Sequence, residues 1–420
     1  MVVPLEDYRY DALSCPRCSN CKWVDHVYVR SHRFAKICPI NARYGFNAYS
    51  AHGMLDMALA LLDGQLDYTP GLIDVVYKCT LCGACDVRCK RNLDLEVLLV
   101  LEGLRERCAQ DEAGPLPQHK AVVEKVNESH NRYGAPSQKR IQELPGAEEN
   151  ADILYFVGCN HSYVQKETAR ATARVLEASG SKFALLGAEE WCCGRPLIAT
   201  GQWELARKKM EHNLDTLASY GAKTVVTSCA ECYKTWKVDY PRMLKRSTED
   251  MDYRVLHIVE HAQQSLDAGT LSFKNPVQMK VTYHDPCHLG RLSEPWIHWV
   301  GERKAFGRVE PAKTYRRGTY GVYDPPRQIL NSIPGIELVE MERVREHSWC
   351  CGAGGGVMDA FKDFALWTAD ERLQEAESSG VETVVTACPF CCENLGEAAR
   401  LARDKINVVH IAELMLKALS

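Results

Sequence analysis

Apolar and polar positions divide this chain into three regions. In the first, AYSAHGMLDMALALLDG (48–64) and LDLEVLLVLEGLRERCAQ (93–110) repeat apolar residues at helical spacing, so a mainly helical region over 1–110 is expected. Residues 111–150 lose that period. DEAGPLPQ, YGAPSQKR and LPGAEEN are polar with scattered Pro and Gly, which predicts a linker with some helix around HKAVVEKVNESHNRY. From residue 151 the pattern alternates. ILYFV, KFALL and KTVVTS read as short strands, while ETARATARVLEASG and ELARKKMEHNLDTLASYG read as helices ending in Gly. Strand–helix alternation predicts an α/β unit around a largely parallel sheet.

The alternating half repeats. GAKTVVTSCAEC (221–232) matches GVETVVTACPFC (380–391), VLHIVEHAQQ (255–264) echoes VVHIAELMLK (408–417), and ILYFVGC (153–159) corresponds to KVTYHDPC (280–287). Trp-Cys-Cys-Gly occurs in EEWCCGRP (189–196) and again in HSWCCGAG (347–354). Two homologous modules are expected, over 151–270 and 278–420. Their cysteines then fall at the C-terminal ends of strands, where open α/β sheets place ligands.

Composition narrows the function class. The 420 residues are 46% hydrophobic and 25% charged, with a net charge of −4, so no basic surface for nucleic acid is indicated. MLDMALALL and LEVLLVLEGL fall short of the roughly 18 apolar residues of a membrane span. MVVPLEDYRYD lacks the basic and apolar regions of a secretory signal. A cytoplasmic protein is expected, touching a membrane only through a partner subunit. The outlier is cysteine, at 20 residues, grouped as C-x-x-C; in a reducing compartment this favours metal ligation over disulfides.

Cys79-x2-Cys82-x2-Cys85-x3-Cys89 has the spacing that holds cubane [4Fe–4S] clusters, and Cys15, Cys18, Cys21 and the Cys38-Pro39 pair form a second set. The scheme of two-cluster ferredoxins crosses the fourth ligands. It assigns Cys15, Cys18, Cys21 and Cys89 to one cubane, and Cys79, Cys82, Cys85 and Cys38 to the other. Sixteen residues, KWVDHVYVRSHRFAKI, stretch the first motif between Cys21 and Cys38. Four thiolates also suit structural zinc, but zinc sites show paired C-x2-C groups rather than a triple run.

Each module offers five thiols: Cys159, Cys192, Cys193, Cys229 and Cys232 in the first, and Cys287, Cys350, Cys351, Cys388 and Cys391 in the second. Adjacent cysteines strain a disulfide. In a turn they can grip one site, and the following Gly suits a tight turn and close backbone approach. Five ligands predict a cluster larger or more open than a four-thiolate cage.

The tandem C…CCG…CxxC pattern behind a two-cluster ferredoxin motif resembles the CCG-domain proteins, and in particular the fused D-type subunit of heterodisulfide reductase and its bacterial relatives. The resemblance implies α/β tandem CCG modules preceded by a mainly α-helical two-cluster ferredoxin-like domain. It implies two cubane clusters in that domain and a non-cubane [4Fe–4S] cluster on each five-cysteine set, with a disulfide reduced between the two. It also implies partners in a multi-subunit complex, a flavin- or haem-containing electron donor or acceptor among them. Bacterial relatives accompany acyl-CoA dehydrogenase, electron-transferring flavoprotein or benzoyl-CoA reductase systems, so a relay without a small substrate is the second reading. A zinc-stapled scaffold is the third. Cys287 to Cys350 spans 63 positions against 33 for Cys159 to Cys192, and the extra segment RKAFGRVEPAKTYRRGTYGVYDPP is basic and Tyr-rich. It reads as a substrate mouth, a segment that docks a partner, or a surface loop. Cys108 reads as a buried apolar thiol, and Cys392 has no assigned role.

Disulfide reduction consumes two electrons and two protons. His284 and His288, in YHDPCHLGR, are the candidate proton donors, with His161 and His347 behind them. Hydrogen bonding to cluster sulfur is the alternative for all four. Asp285 is a candidate to orient an imidazole or to make a turn. Trp191 and Trp349 are expected to shield clusters from water. GAGGG (352–356) is similar to a phosphate loop but lacks G-x-G-x-x-G spacing and a following Lys-Ser/Thr, so no nucleotide site is expected.

Overall fold

The N-terminal region forms helices over Arg9–Leu13, Pro39–Tyr44, Ala51–Leu62, Pro70–Lys78, Ala84–Lys90 and Val97–Gln110. The Ser50 side chain caps the third by accepting from Gly53 N, and Thr69 caps the fourth, which carries Pro70 in its first turn. This computed structural model describes residues 2–148, 151–402 and 406–419. The last two residues of the expected linker and the terminal residues of the first and last expected regions lie outside the described residues.

The stretch between Cys21 and Cys38 is a loop closed at its base. Trp23 and Lys36 form an antiparallel bridge, Val24 N donates to Ala35 O at 2.7 Å, and Ile37 N donates to Lys22 O at 2.9 Å. Its tip docks on the second module: Ser31 N donates to Glu342 at 2.8 Å and Arg33 pairs with Glu371 at 2.8 Å. The expected linker is helical over Pro117–Ser129, and its remainder packs on the first module, where His130 O accepts from Cys192 N at 2.7 Å.

The first module contains β1 (Ile153–Tyr155), β2 (Phe183–Ala184), β3 (Thr224–Thr227) and β4 (Arg254–His257), all parallel, in the order β2-β1-β3-β4. The second contains β5 (Met279–His284), then the short antiparallel hairpin β6 (Glu302–Arg303) and β7 (Val309–Glu310), then β8 (Ile336–Leu338), β9 (Thr383–Thr386) and β10 (Asn407–His410). Its sheet order, β10-β9-β5-β8, is the same arrangement read from the other edge, so β5, β8, β9 and β10 repeat β1, β2, β3 and β4. Strands buried on both faces explain the continuous apolar runs. Strand order reverses between β1 and β3, and between β5 and β9, which opens a crevice at their C-terminal ends.

The modules meet like the halves of a two-fold dimer, where equivalent surfaces contact each other. The Ile411–Ala418 helix packs on Lys166–Ala178, and the equivalent Ile258–Asp267 helix packs on Asp324–Ser332. His410 Nε2 donates to Ser228 O at 3.0 Å across the boundary. One guanidinium ties all three regions together. Arg105, 1% exposed, donates to Val76 O, Cys79 O, Ala199 O and Gly355 O at 2.5–3.2 Å.

The basic, Tyr-rich segment of the second module clasps the N-terminal region. Arg303 lies 3.9 Å from the Tyr10 ring centroid, Lys313 pairs with Glu96 at 2.7 Å and Arg317 pairs with Asp94 at 2.5 Å. Among the described residues no helix is long and apolar enough to cross a membrane.

Candidate metal centres

Four groups of thiols converge, and all twenty cysteines are unpaired. Cys15, Cys18, Cys21 and Cys89 line one small cavity with His52, Leu55 and Leu93. Cys38 stands beside Cys79 and Cys82, and Cys85 beside Cys79, Cys38 and Cys82. The closed 22–37 loop therefore returns Cys38 to the second C-x-x-C run, and the Ala84–Lys90 helix delivers Cys89 to the first. Burial raises the Cys15, Cys38, Cys79, Cys85 and Cys89 thiols, which keeps them protonated when no cation faces them.

In the first module Cys159 follows β1, Cys192 and Cys193 follow β2, and Cys229 and Cys232 follow β3. All five line one small cavity at the crevice. In the second, hydrogen bonds run from Cys287 to Cys350 to Cys351 to Cys391 to Cys388, with Cys391 Sγ donating to Cys351 Sγ at 3.2 Å. The Cys-Cys-Gly turn is the same in both. Gly194 and Gly352 have φ of 92° and 91°, and their N–H groups donate to Cys192 Sγ at 3.5 Å and Cys350 Sγ at 3.3 Å. A Cβ on Gly352 meets Ala365 O at 2.4 Å, so only glycine fits there.

The groups also touch one another. Cys82 and Cys350 are neighbouring thiols across the boundary, and Cys350 lowers the Cys82 thiol. Arg291 crosses the same boundary, donating to Cys82 O and Ser348 O at 2.8 Å each. Cys229 hydrogen-bonds its own equivalent, Cys388, on the axis relating the modules.

Several residues of this site carry no motif. Arg140, from the expected linker, donates to Cys159 Sγ at 3.8 Å and pairs with buried Glu190, whose carboxylate accepts Val157 N and Gly158 N. A small polar cavity lined by His119, Arg132, Arg195, Thr200, Glu231 and Asp359 shares Arg132, Arg195, Pro196 and Glu231 with the first-module thiol cavity. Arg132 and Asp359 pair at 2.6 Å, with side chains 13% and 20% exposed. Arg195 is 2% exposed; its Nε and Nη1 make no hydrogen bond, and Nη1 lies 3.8 Å from the buried Asp239 carboxylate. Burial raises the Glu231 carboxyl to about 7. The GAGGG backbone closes this cavity. Gly355 abuts the Cys79 and Thr80 backbone, and Gly356 O meets His119 Nε2 at 2.9 Å.

The four candidate histidines are all buried. His284 Nδ1 accepts from Arg372 Nε at 3.2 Å, so its one proton sits on Nε2. Its ring lies with Cys351 and Cys391 inside a 4.8 Å group. His288 Nδ1 lies 3.5 Å from Cys287 Sγ, and burial, with Arg195 and Lys234 adding to it, holds the imidazole well below its ordinary value. Both are placed beside thiol sulfur. His161 pairs with Ser228 at 3.1 Å, and burial brings His347 down to about 3. Asp285 orients no imidazole: Arg327 grips it at 2.7 and 3.0 Å, and it accepts Arg345 N. Trp349 is 1% exposed, whereas Trp191 is half-buried and stacks between His130 and His212 at 3.5 and 3.7 Å. Cys108 is fully buried in the N-terminal core, and Cys392 lies outside the second-module chain of thiols.

The donor set fits iron–sulfur clusters. All candidate ligands are thiols, a fifth thiol exceeds what tetrahedral zinc takes, and unpartnered nitrogens of Arg195, His161 and His284 surround them. An anionic, sulfide-bearing group supplies acceptors that such donors lack.

Known proteins share this arrangement. The family model for the CCG cysteine-rich domain matches residues 153–237 and 312–396, the second match beginning beyond Cys287, and that for a 4Fe-4S dicluster domain matches 11–93. The D subunit of dihydromethanophenazine:CoB--CoM heterodisulfide reductase from Methanosarcina barkeri is 33% identical over 419 residues, covering 97% of this chain and 93% of that protein. The B subunit of fumarate reductase (CoM/CoB) from Methanothermobacter marburgensis is 31% identical, over 83% of this chain and 63% of that one. EtfAB:quinone oxidoreductase of Syntrophomonas wolfei is 26% identical, over 82% and 47%. This chain is thus an electron-transferring iron–sulfur protein, and it belongs to the CCG-domain family that includes the heterodisulfide reductase D subunits.

Proposed function

We propose that this chain is the iron–sulfur subunit of a heterodisulfide-reductase-like complex, in which a disulfide is reduced at the boundary between the two CCG modules. In this reading Cys15, Cys18, Cys21 and Cys89 hold one cubane [4Fe–4S] cluster, and Cys38, Cys79, Cys82 and Cys85 hold another. Cys159, Cys192, Cys193, Cys229 and Cys232 hold one non-cubane [4Fe–4S] cluster; Cys287, Cys350, Cys351, Cys388 and Cys391 hold the second. Clusters of this kind supply reversible one-electron transfer, with a potential set by burial and hydrogen bonding.

The observation that carries the proposal is contact between successive thiol groups. Cys82 meets Cys350, and Cys388 meets Cys229. The four sets therefore form one line, from the first ferredoxin-like set through the second, then module two, then module one. The line ends beside the polar cavity of Arg132, Arg195 and Glu231.

Reduction of a disulfide breaks one S–S bond and takes up two electrons and two protons to leave two thiols. The electrons come from a partner protein carrying flavin or haem. The chain's own residues bind, orient and dry the site. Arg195 offers its Nε–H to an anionic substituent of the substrate while its Nη1 stays near Asp239, the Arg132–Asp359 pair stands at the more exposed side, and Phe390 excludes water. Twenty unpaired thiols suit a reducing compartment, so the reading places the chain in the cytoplasm, with any membrane contact made by a partner. The resemblance to EtfAB:quinone oxidoreductase favours the relay reading, in which the same line of centres serves a flavoprotein-linked or CoA-ester reductase complex and turns over no small molecule.

Anaerobically purified protein is expected to contain iron and acid-labile sulfide, and stoichiometric zinc without sulfide ends both redox readings. Reduction of heterodisulfides by an artificial donor, with KM raised and kcat retained in Arg195→Gln, supports catalysis. Failure across heterodisulfides with every cluster intact leaves the relay.

A further inference from the structure

The two five-thiol sets are built by equivalent elements, so residues at equivalent positions can be compared directly. In β1 Tyr155 pairs with Val226 and in β5 Tyr283 pairs with Val385, each the third residue of a Thr-Val-Val-Thr strand. The next residue is Phe156 in module one and His284 in module two. The same repeat, counted back from Gly221 and Gly380 to the preceding helices, equates Asn213 with Arg372. Asn213 donates to Cys192 O and Tyr240 OH. Arg372, fully buried, donates through Nε to His284 Nδ1, through Nη1 to Arg343 O and Glu375, and through Nη2 to Ser348 Oγ.

An arginine N–H can only donate, so the Nδ1 that receives it is an unprotonated acceptor. The neutral ring then carries its proton on Nε2, the nitrogen that has no partner of its own. That ring has a nitrogen within 4.8 Å of the sulfurs of Cys351 and Cys391, close enough for a modest ring adjustment to turn its N–H onto them. A nitrogen bearing hydrogen has no lone pair for a metal, so this arrangement makes His284 a donor to sulfur instead of a sixth ligand.

We infer that Arg372 is a positioning residue: it fixes the His284 tautomer so that Nε2–H donates to the thiolates of module two, a hydrogen bond that module one, with Phe156, lacks. The inference rests on the proposal that the five module-two cysteines hold a centre. Donation to a thiolate ligand stabilises the more electron-rich state, so it raises the potential of the module-two centre relative to that of module one. The effect is to make two chemically similar sites unequal.

The test uses the full chain, purified anaerobically, with iron content and EPR-monitored redox titration as readouts. His284→Phe, which writes the module-one residue into module two, is expected to keep its iron and to weaken reduction of that centre about tenfold, which is about 59 mV for a one-electron step. His284→Gln, which retains an N–H, is expected to stay near the wild-type potential. Arg372→Gln is expected to move the same centre in the direction of His284→Phe, with Arg372→Lys restoring it, while the other three centres keep their potentials. An unchanged potential in His284→Phe with full iron overturns the inference and leaves the ligand assignment standing. Loss of iron in module-two cysteine variants is the separate test of that assignment. Because Arg372 is buried, pulsed EPR of the unmutated protein supplies a second readout. Weak nitrogen coupling from a hydrogen-bonded imidazole is expected, and the strong coupling of a coordinated one overturns the inference without any variant.

Discussion

Module one and module two share a sheet, a Cys-Cys-Gly turn and a count of thiols, yet they sit in different surroundings. Module two is held by the N-terminal region on several sides: by the 22–37 loop, by the 303–326 segment, by Arg291 and by the Cys82–Cys350 contact. Module one also meets the N-terminal region, through Arg105 and the buried Arg242–Glu102 pair, but it is roofed by the 111–148 segment, which contributes Arg132 and Arg140, and it borders the polar cavity. The repeat supplies two similar sites, and the insertions around it give them different neighbours. In the proposed reading, one receives electrons and the other faces a small molecule.

The largest expected effect separates those neighbours. Cys192→Ser should cost module one its centre and leave the other three. Cys350→Ser should cost module two its centre and also disturb the Cys79–Cys85 set, because Cys350 touches Cys82. Iron and sulfide per chain, with EPR of the reduced protein, read the difference. Equal effects of the two substitutions break the comparison.

Arg105→Met comes next. It strips donors from carbonyls of Val76, Cys79, Ala199 and Gly355, joining all three regions. Leaving buried carbonyls unpaired costs about 3 kcal/mol or more, read as a lower Tm together with lost iron. A change confined to one module sinks the idea that this guanidinium couples them.

Much of this was legible in the sequence because cysteine spacing and strand–helix alternation are local signals. TVVT followed by C-x-x-C fixes a strand end and two thiols within ten residues, twice. The contacts between distant segments were not legible. Arg132 and Arg140 sit in a polar stretch that reads as linker, since nothing local says that a guanidinium turns inward to Asp359 or Cys159. Arg372 looks like a surface residue of the helix Lys362–Ser378 until Glu375, Arg343 O and His284 are seen around it. The basic 303–326 segment offered three readings, substrate mouth, partner docking and surface loop, and none of them anticipated its packing on the chain's own Tyr10, Asp94 and Glu96.

A smaller effect tests the axis between the modules. His257 and His410 occupy equivalent N-caps, accepting Val259 N at 3.3 Å and Ala412 N at 3.2 Å. Losing such a cap costs about 1 kcal/mol. His410→Ala also orphans Ser228 O across the boundary, so it should destabilise by about 2 kcal/mol. Thermal unfolding of the two alanine variants gives the comparison. Equal losses mean that the cross-boundary hydrogen bond contributes nothing.

The smallest effect is a pH dependence carried by one module only. His261 is 8% exposed, with Nε2 3.1 Å from Ser179 Oγ and from Ser181 Oγ, and burial lowers its imidazole to about 4. The matching position in the second module is Leu414, fully buried. The unfolded imidazole titrates near 6.5. Its contribution to stability is therefore complete above about pH 6.5, where both states are neutral. It is lost as pH falls from there towards 4, because the unfolded chain takes up a proton that the folded one refuses. Over the range where clusters survive, the loss reaches about 1.4 kcal/mol by roughly pH 5.5. His261→Leu should flatten that slope between pH 7.5 and 5.5 and leave Tm at pH 7.5 nearly unchanged. If the slope persists in the variant, the acid sensitivity of module one lies elsewhere, and the histidine–leucine difference is only one of packing.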